Sequence, residues 1–257
     1  MSLQEPVPGS EELPIGPTLR DIAEQLRLRW RDLVKSTWLA ALILFAVAVV
    51  LGLVAPLFLA SLLTSLVQLA LVVLVMVKIL RRLLVGEAPR DGLQWSQREW
   101  RMLGWLIVVG LCSALPAMII GGIGSVTGAP AILFLFAMLG IAIAIWIGVR
   151  LMLTTPLVAL DEPGNPMSRS WQLMQRHTMK ALIVAVTVGV LTGIVGGVLL
   201  ALGGVLPWVL LEAVRSIVTI AQPAIGAVVV AVVFGRVMHR PLPATPAASN
   251  YGAATVI

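Results

Sequence analysis

The chain has 257 residues, of which 59% are hydrophobic and only 12% charged, with a mean hydropathy of +1.02. A water-soluble domain carries about twice that charged fraction, so the composition excludes a soluble globular protein. The net charge of +6 is not read as nucleic-acid binding, because the cations flank apolar blocks, as in membrane proteins whose basic loops stay on one side.

Residues 1–17 hold Pro6, Pro8, Pro14 and Pro17 among acidic and small residues, and are read as a flexible tail that buries too little to order. From Thr18 the pattern changes. Leu19, Ile22, Ala23, Leu26, Trp30, Leu33 and Val34 recur at steps of three and four, which predicts an amphipathic helix over 18–36. Arg20, Arg27, Arg29, Arg31 and Lys35 populate its other face, the pattern of a helix lying at the headgroup level. The charges leave no apolar core of the kind a secretory signal needs, so no cleavage is expected.

Thr37 to Val77 is one uncharged run of 41 residues. As a single helix it would measure about 60 Å, twice the hydrocarbon thickness, so it is read as two spans, 37–55 and 57–77. Ala55-Pro56 is the natural turn, since proline disfavours helix at the residue before it. Spans three and four are expected at 102–120 and 131–152, separated by a glycine-rich breaker from Gly121 to Pro130. Spans five and six fall at 181–202 and 216–235, with Gly203, Gly204, Pro207 and Trp208 between them. Residues 241–257 are again rich in Pro and Ala and are read as a flexible tail. The fold class is therefore an all-α integral membrane protein, a six-helix bundle preceded by the amphipathic helix.

Four segments, 20–35, 78–101, 150–180 and 236–240, hold 17 of the 18 Lys and Arg residues. All four lie on one side of a six-span arrangement, and only Arg215 lies opposite. The positive-inside rule places both ends of the chain in the cytoplasm. Trp30, Trp100 and Trp171, at intervals of 70 and 71 residues, each precede a pair of spans, consistent with a parallel pseudo-repeat.

Polar groups inside spans are few. Gln68, Thr187, Thr192 and Gln222 are expected to bond neighbouring helix backbone. Gly189, Gly193 and Gly197 in span five, and Gly140, Ala144 and Gly148 in span four, form small-residue stripes expected to mark contacts within the bundle, with a homodimer interface as the less favoured alternative. Pro116 and Pro223 are expected to kink their spans. Glu212 and Arg215 are spaced for an outer i, i+3 ion pair on a short interfacial helix. The spans contain no Asp, Glu or His, and both histidines, His177 and His239, fall in basic segments. Neither a catalytic constellation nor a metal or cofactor site can be assembled from these parts. Cys112, the only cysteine, excludes an intrachain disulfide.

The most distinctive segment is 150–180. It carries Arg150 at the end of a span, then Pro156, Asp161, Glu162, Pro163, Gly164, Asn165 and Pro166, then Arg169, Ser170, Trp171 and Leu173 before the next span. Pro156 should stop or bend the chain after span four. Asp161 or Glu162 can pair with Arg150 or Arg169, and Ser170 can help cap the helix entering span five. This pattern resembles the membrane domain of glycerophosphodiester phosphodiesterases and related six-span bacterial membrane proteins. The resemblance implies the fold, a bacterial cytoplasmic (inner) membrane location, and structural importance for Arg150, Pro156, Asp161, Ser170 and Trp171. In that family the catalytic barrel is a separate soluble domain, so no phosphodiesterase activity is carried over.

Two functions are left open. One is a non-enzymatic membrane protein that binds anionic headgroups, or a membrane-protein partner or second copy, through its basic face. Arg150, Arg169, Arg176 and Lys180 would then form a headgroup site. The other is a small transporter or lipid translocator with a site between kinked helices.

Overall fold

We describe the protein from a computed structural model in which residues 13–87, 95–126, 129–202, 207–240 and 242 are defined. The expected tails lie outside this set except for Leu13 to Pro17 and Leu242. Among the described residues every regular element is α-helix. Six apolar stretches are long enough to cross a membrane, so the chain is a multi-pass helical membrane protein.

Helix α1 (Ile15–Val54) is 40 residues long without interruption. The expected amphipathic segment and first span are thus one helix, and its first turn already includes Gly16 and Pro17. Part of the polar side of its first half is engaged by protein: Arg82 pairs with Asp32 at 2.7 Å, Arg236 pairs with Asp21, and Arg29 is buried, donating to the Arg82 carbonyl at 3.4 Å, while Arg20, Arg27, Arg31 and Lys35 are exposed. Ala55 is extended (φ −115°, ψ 150°) ahead of Pro56, which caps α2 (Leu57–Leu84). The hairpin turn therefore falls where proline forces the chain out of helix.

Helix α3 (Gln97–Val126) starts with Ser96, whose N–H and hydroxyl both donate to the Glu99 carboxylate, the amide at 2.8 Å. This helix runs on through Gly121, Gly122 and Gly124, where a breaker was expected. Helical glycine costs up to about 1 kcal/mol in water, but in hydrocarbon an unbonded backbone costs more, so the helix is extended rather than broken. Gly124 has a further use: a Cβ there would stand 2.8 Å from the Phe136 Cβ. Helix α4 (Pro130–Leu151) begins with proline in its first turn, and α3 with α4 forms the most extensive helix pair. At Gly140 a Cβ would lie 3.1 Å from the Ala117 backbone, a close contact, whereas at Gly148 the nearest atom is the Ser113 hydroxyl oxygen at 3.9 Å.

Two short helices, α5 (Thr154–Ala159) and α6 (Pro166–Met174), fold back between α4 and α7 (Thr178–Leu202). All six residues of α5 are buried. The last helix, α8 (Trp208–Val237), passes through Pro223 as α3 passes through Pro116. The tryptophans of the expected repeat occupy unlike places: Trp30 mid-way along α1, Trp100 in the first turn of α3, and Trp171 in α6. Gly189, Gly193 and Gly197 depart from expectation too, since a Cβ at any of them meets nothing within 4 Å. The reason is that α7 is only lightly packed on its neighbours.

The core is concentrated toward the charged end. Phe234, Val233, Ala231 and Ala227 of α8, Leu80 and Val73 of α2, Leu157 of α5, Met102 of α3 and Met174 of α6 are fully enclosed. Toward the opposite end the apolar side chains face outward, with Phe58 82% and Val126 85% exposed. Such continuous apolar surface is tolerable only in lipid.

The contrast among glycines is testable. Gly140→Ala inserts a methyl group against backbone and should cost about 1–3 kcal/mol in unfolding free energy. Gly110→Ala meets open space and should be neutral or slightly stabilising. Unfolding of the two variants in detergent micelles checks this, and equal stability would contradict the packing.

Candidate functional site at the charged end

The site starts where α4 stops. Pro156 has no N–H to give the Met152 carbonyl four residues back, and the Thr155 hydroxyl donates to that carbonyl instead, at 3.0 Å. The break therefore falls at Met152 and Leu153, ahead of the proline, and Pro156 itself sits buried in α5. After α5 the chain reverses through Asp161 and Gly164, both left-handed (φ 54° and 96°). Asn165 then caps α6, accepting from the Met167 and Ser168 amides at 3.0 and 3.3 Å.

This excursion returns Ser170 and Trp171 to the end of α4. The Ser170 hydroxyl donates to the Arg150 carbonyl at 2.8 Å. Its expected capping of the helix entering span five is thus corrected: Asn165 caps α6, while Ser170 satisfies one of the orphan carbonyls that end α4. The Arg150 guanidinium carbon lies 4.6 Å from the ring centroids of both Trp146 and Trp171. The two indoles are perpendicular, 5.5 Å apart, so the cation occupies the corner between them. Each such contact contributes about 0.5–2 kcal/mol. Arg150 Nε is buried without a hydrogen-bond partner, and among the described residues Arg150 forms no ion pair.

The expected pairing of Arg150 with Asp161 or Glu162 is therefore not made. Asp161 lies beyond α5, about 9 Å of helix further on, and is held elsewhere. Arg98 Nε and Arg101 Nη1 reach its two carboxylate oxygens at 2.7 and 2.9 Å, with Arg81 Nη1 at 3.9 Å. Arg81 also donates to the Ala159 carbonyl at 2.8 Å and grips Glu87 through two nitrogens. Asp161 thus ties α2, α3 and the α5–α6 turn together. Glu162 takes Arg169 at 2.9 Å, as the spacing allowed, and Arg240 at 3.2 Å.

Of the expected cationic surface, Arg169 is already paired, Arg176 is exposed in the turn before α7, and Lys180 is half-buried in the first turn of α7. His177 is buried beside them. The outer pair is a second correction. Glu212 and Arg215 belong to the first turns of the long helix α8, Arg215 is exposed, and no ion pair joins them. An exposed pair of this spacing gains too little to hold two long side chains together. Residue spacing did not disclose Arg81, Arg98 and Arg101. The nearest signal was the i, i+3 placement of two arginines at the start of α3.

Asp161→Asn keeps a residue tolerant of the left-handed backbone while removing the charge three arginines share. It should lower unfolding free energy by about 1–2 kcal/mol, between exposed and buried pairs. Urea unfolding in micelles reads this, and wild-type stability would show that the network is idle.

Residues 114–235 match the family model described as the membrane domain of glycerophosphoryl diester phosphodiesterase. No curated protein and no solved structure matches the chain. The matched stretch runs from the second half of α3 through nearly all of α8, and so contains Arg150, Pro156, Asp161, Ser170 and Trp171, with Arg81, Arg98 and Arg101 outside it. Over residues 114–235, a little under half of the chain, the protein is thus similar to the membrane domains of glycerophosphoryl diester phosphodiesterases.

Proposed function

We propose that this is a non-enzymatic protein of the bacterial cytoplasmic membrane that binds anionic phospholipid headgroups at its charged end, with that end and both termini facing the cytoplasm. One observation carries the reading: Arg150 is fixed between Trp146 and Trp171 with no carboxylate partner among the described residues. A guanidinium whose rotamer is already set gives up less entropy when it bonds a phosphate. Indole rings are favoured at the membrane–water boundary, which is also where lipid phosphates lie. Arg176, exposed five residues after Trp171, and Lys180 add positive potential, each cation near an anionic surface contributing about 1 kcal/mol.

A transport reading has a single observation in its favour, a lateral cleft of about 360 Å³ between α4, α7 and α8. Its lining is apolar apart from Thr192 and Gln222. Substrate flux into proteoliposomes is the outcome that would replace the binding reading with this one.

Binding of short-chain phosphatidylglycerol and phosphatidylcholine to the detergent-solubilised protein separates charge recognition from general lipid contact. The anionic lipid should bind more tightly, and Arg150→Gln should weaken it about fivefold, equivalent to about 1 kcal/mol. Trp171→Ala should weaken it comparably by freeing the guanidinium, whereas Arg215→Gln at the other end should not. Equal affinity for both lipids, or an Arg150→Gln variant that binds like wild type, would refute the proposal.

A further inference from the structure

Gln222 stands at the middle of α8, about 21 Å from either end at 1.5 Å per residue, and hence near the centre of a bilayer. Its side chain is exposed on the surface of the bundle and, contrary to expectation, bonds no described residue. The nearby Thr192 hydroxyl is satisfied by the Val188 carbonyl at 2.9 Å, so the two polar groups differ: one closes on its own helix and the other is left open. Around Gln222 lie two apolar clefts, the 360 Å³ one above and another of about 260 Å³ between α7 and α8. Its Nε2 lies over Gly196, 3.3 Å from where a Cβ would stand.

An amide in hydrocarbon without a partner is costly. Acyl chains offer neither donor nor acceptor, and the ester groups of phospholipids lie at the interface, far from this depth. The occupant must bring a hydrogen-bonding group to the mid-plane. A second copy of this chain does so by symmetry, because a twofold axis along the membrane normal sets every residue opposite its own counterpart at the same depth. A carboxamide both donates and accepts, so two glutamines can close a pair of N–H···O bonds with each other. Close approach is permitted, since Gly189 on the adjoining α7 lines the larger cleft, carries no Cβ, and a Cβ there would meet nothing within 4 Å.

We propose that the α7–α8 face around Gln222 is the interface of a parallel homodimer, closed by reciprocal hydrogen bonds between the two Gln222 side chains. This stands apart from lipid binding at Arg150 and survives if that reading fails.

The test uses the full chain in liposomes, in a Cys112→Ser background so that introduced cysteines are the only ones. Oxidation of a Gln222→Cys variant should give a disulfide-linked dimer. Leu139→Cys, exposed at the middle of α4, should not. With the chain labelled for energy transfer, Gln222→Leu should raise the dimer dissociation constant about tenfold, while Gln222→Asn should retain part of the association. Leucine suits a lipid-facing position, so folding of that variant is not at risk. Equal crosslinking at both positions, a Gln222→Leu variant that associates like wild type, or a wild-type chain monomeric at every protein-to-lipid ratio would each overturn the proposal.

Discussion

Hydrocarbon offers a polypeptide nothing to hydrogen-bond. Each crossing must therefore satisfy its backbone within itself, and helix is the open-chain structure that does so. That constraint orders the rest of the molecule. It carries α3 past three glycines that would end a helix in water, and it takes α3 and α8 through Pro116 and Pro223. It also drives nearly all of the charge to one end of the bundle, where α1, α2, α5, α6 and α8 build the enclosed core. The other end is held by much less protein contact and has its apolar side chains turned outward.

The charged end is consequently a folded layer rather than a set of loops. Its chemistry rests on two different uses of arginine. Arg81, Arg98 and Arg101 converge on Asp161 and join elements 60 to 80 residues apart in sequence, so their charges serve the architecture. Arg150 is held by aromatic faces, which fix its position without neutralising it. Of the two, the second leaves the guanidinium without a carboxylate partner among the described residues.

Much of the fold was legible because punctuation in sequence has a direct steric meaning. The break at Ala55-Pro56 follows from proline alone, and the number of spans follows from the lengths of uncharged runs. Glycine was less readable, since its helix-breaking reputation comes from water. Gly140 packs against backbone while Gly189 faces open space, a difference that depends on which helix lies opposite. The site was legible in part. Trp146 and Arg150 are four residues apart and share a helix face, but the second indole arrives only because α5 and α6 return the chain. Asp161 stood out as an acidic residue in a turn, yet its partners come from α2 and α3, and local spacing cannot disclose contacts over that separation.

Single cysteines in a Cys112→Ser background, labelled with a membrane-impermeant maleimide in vesicles of each orientation, test the central claim most directly. Substitutions at Arg27 and Arg176 should react from one side of the membrane, and those at Val126 and Trp208 only from the other. Labelling of positions 27 and 176 from opposite sides, or of 126 and 176 from the same side, would contradict six crossings with the charge gathered on one face.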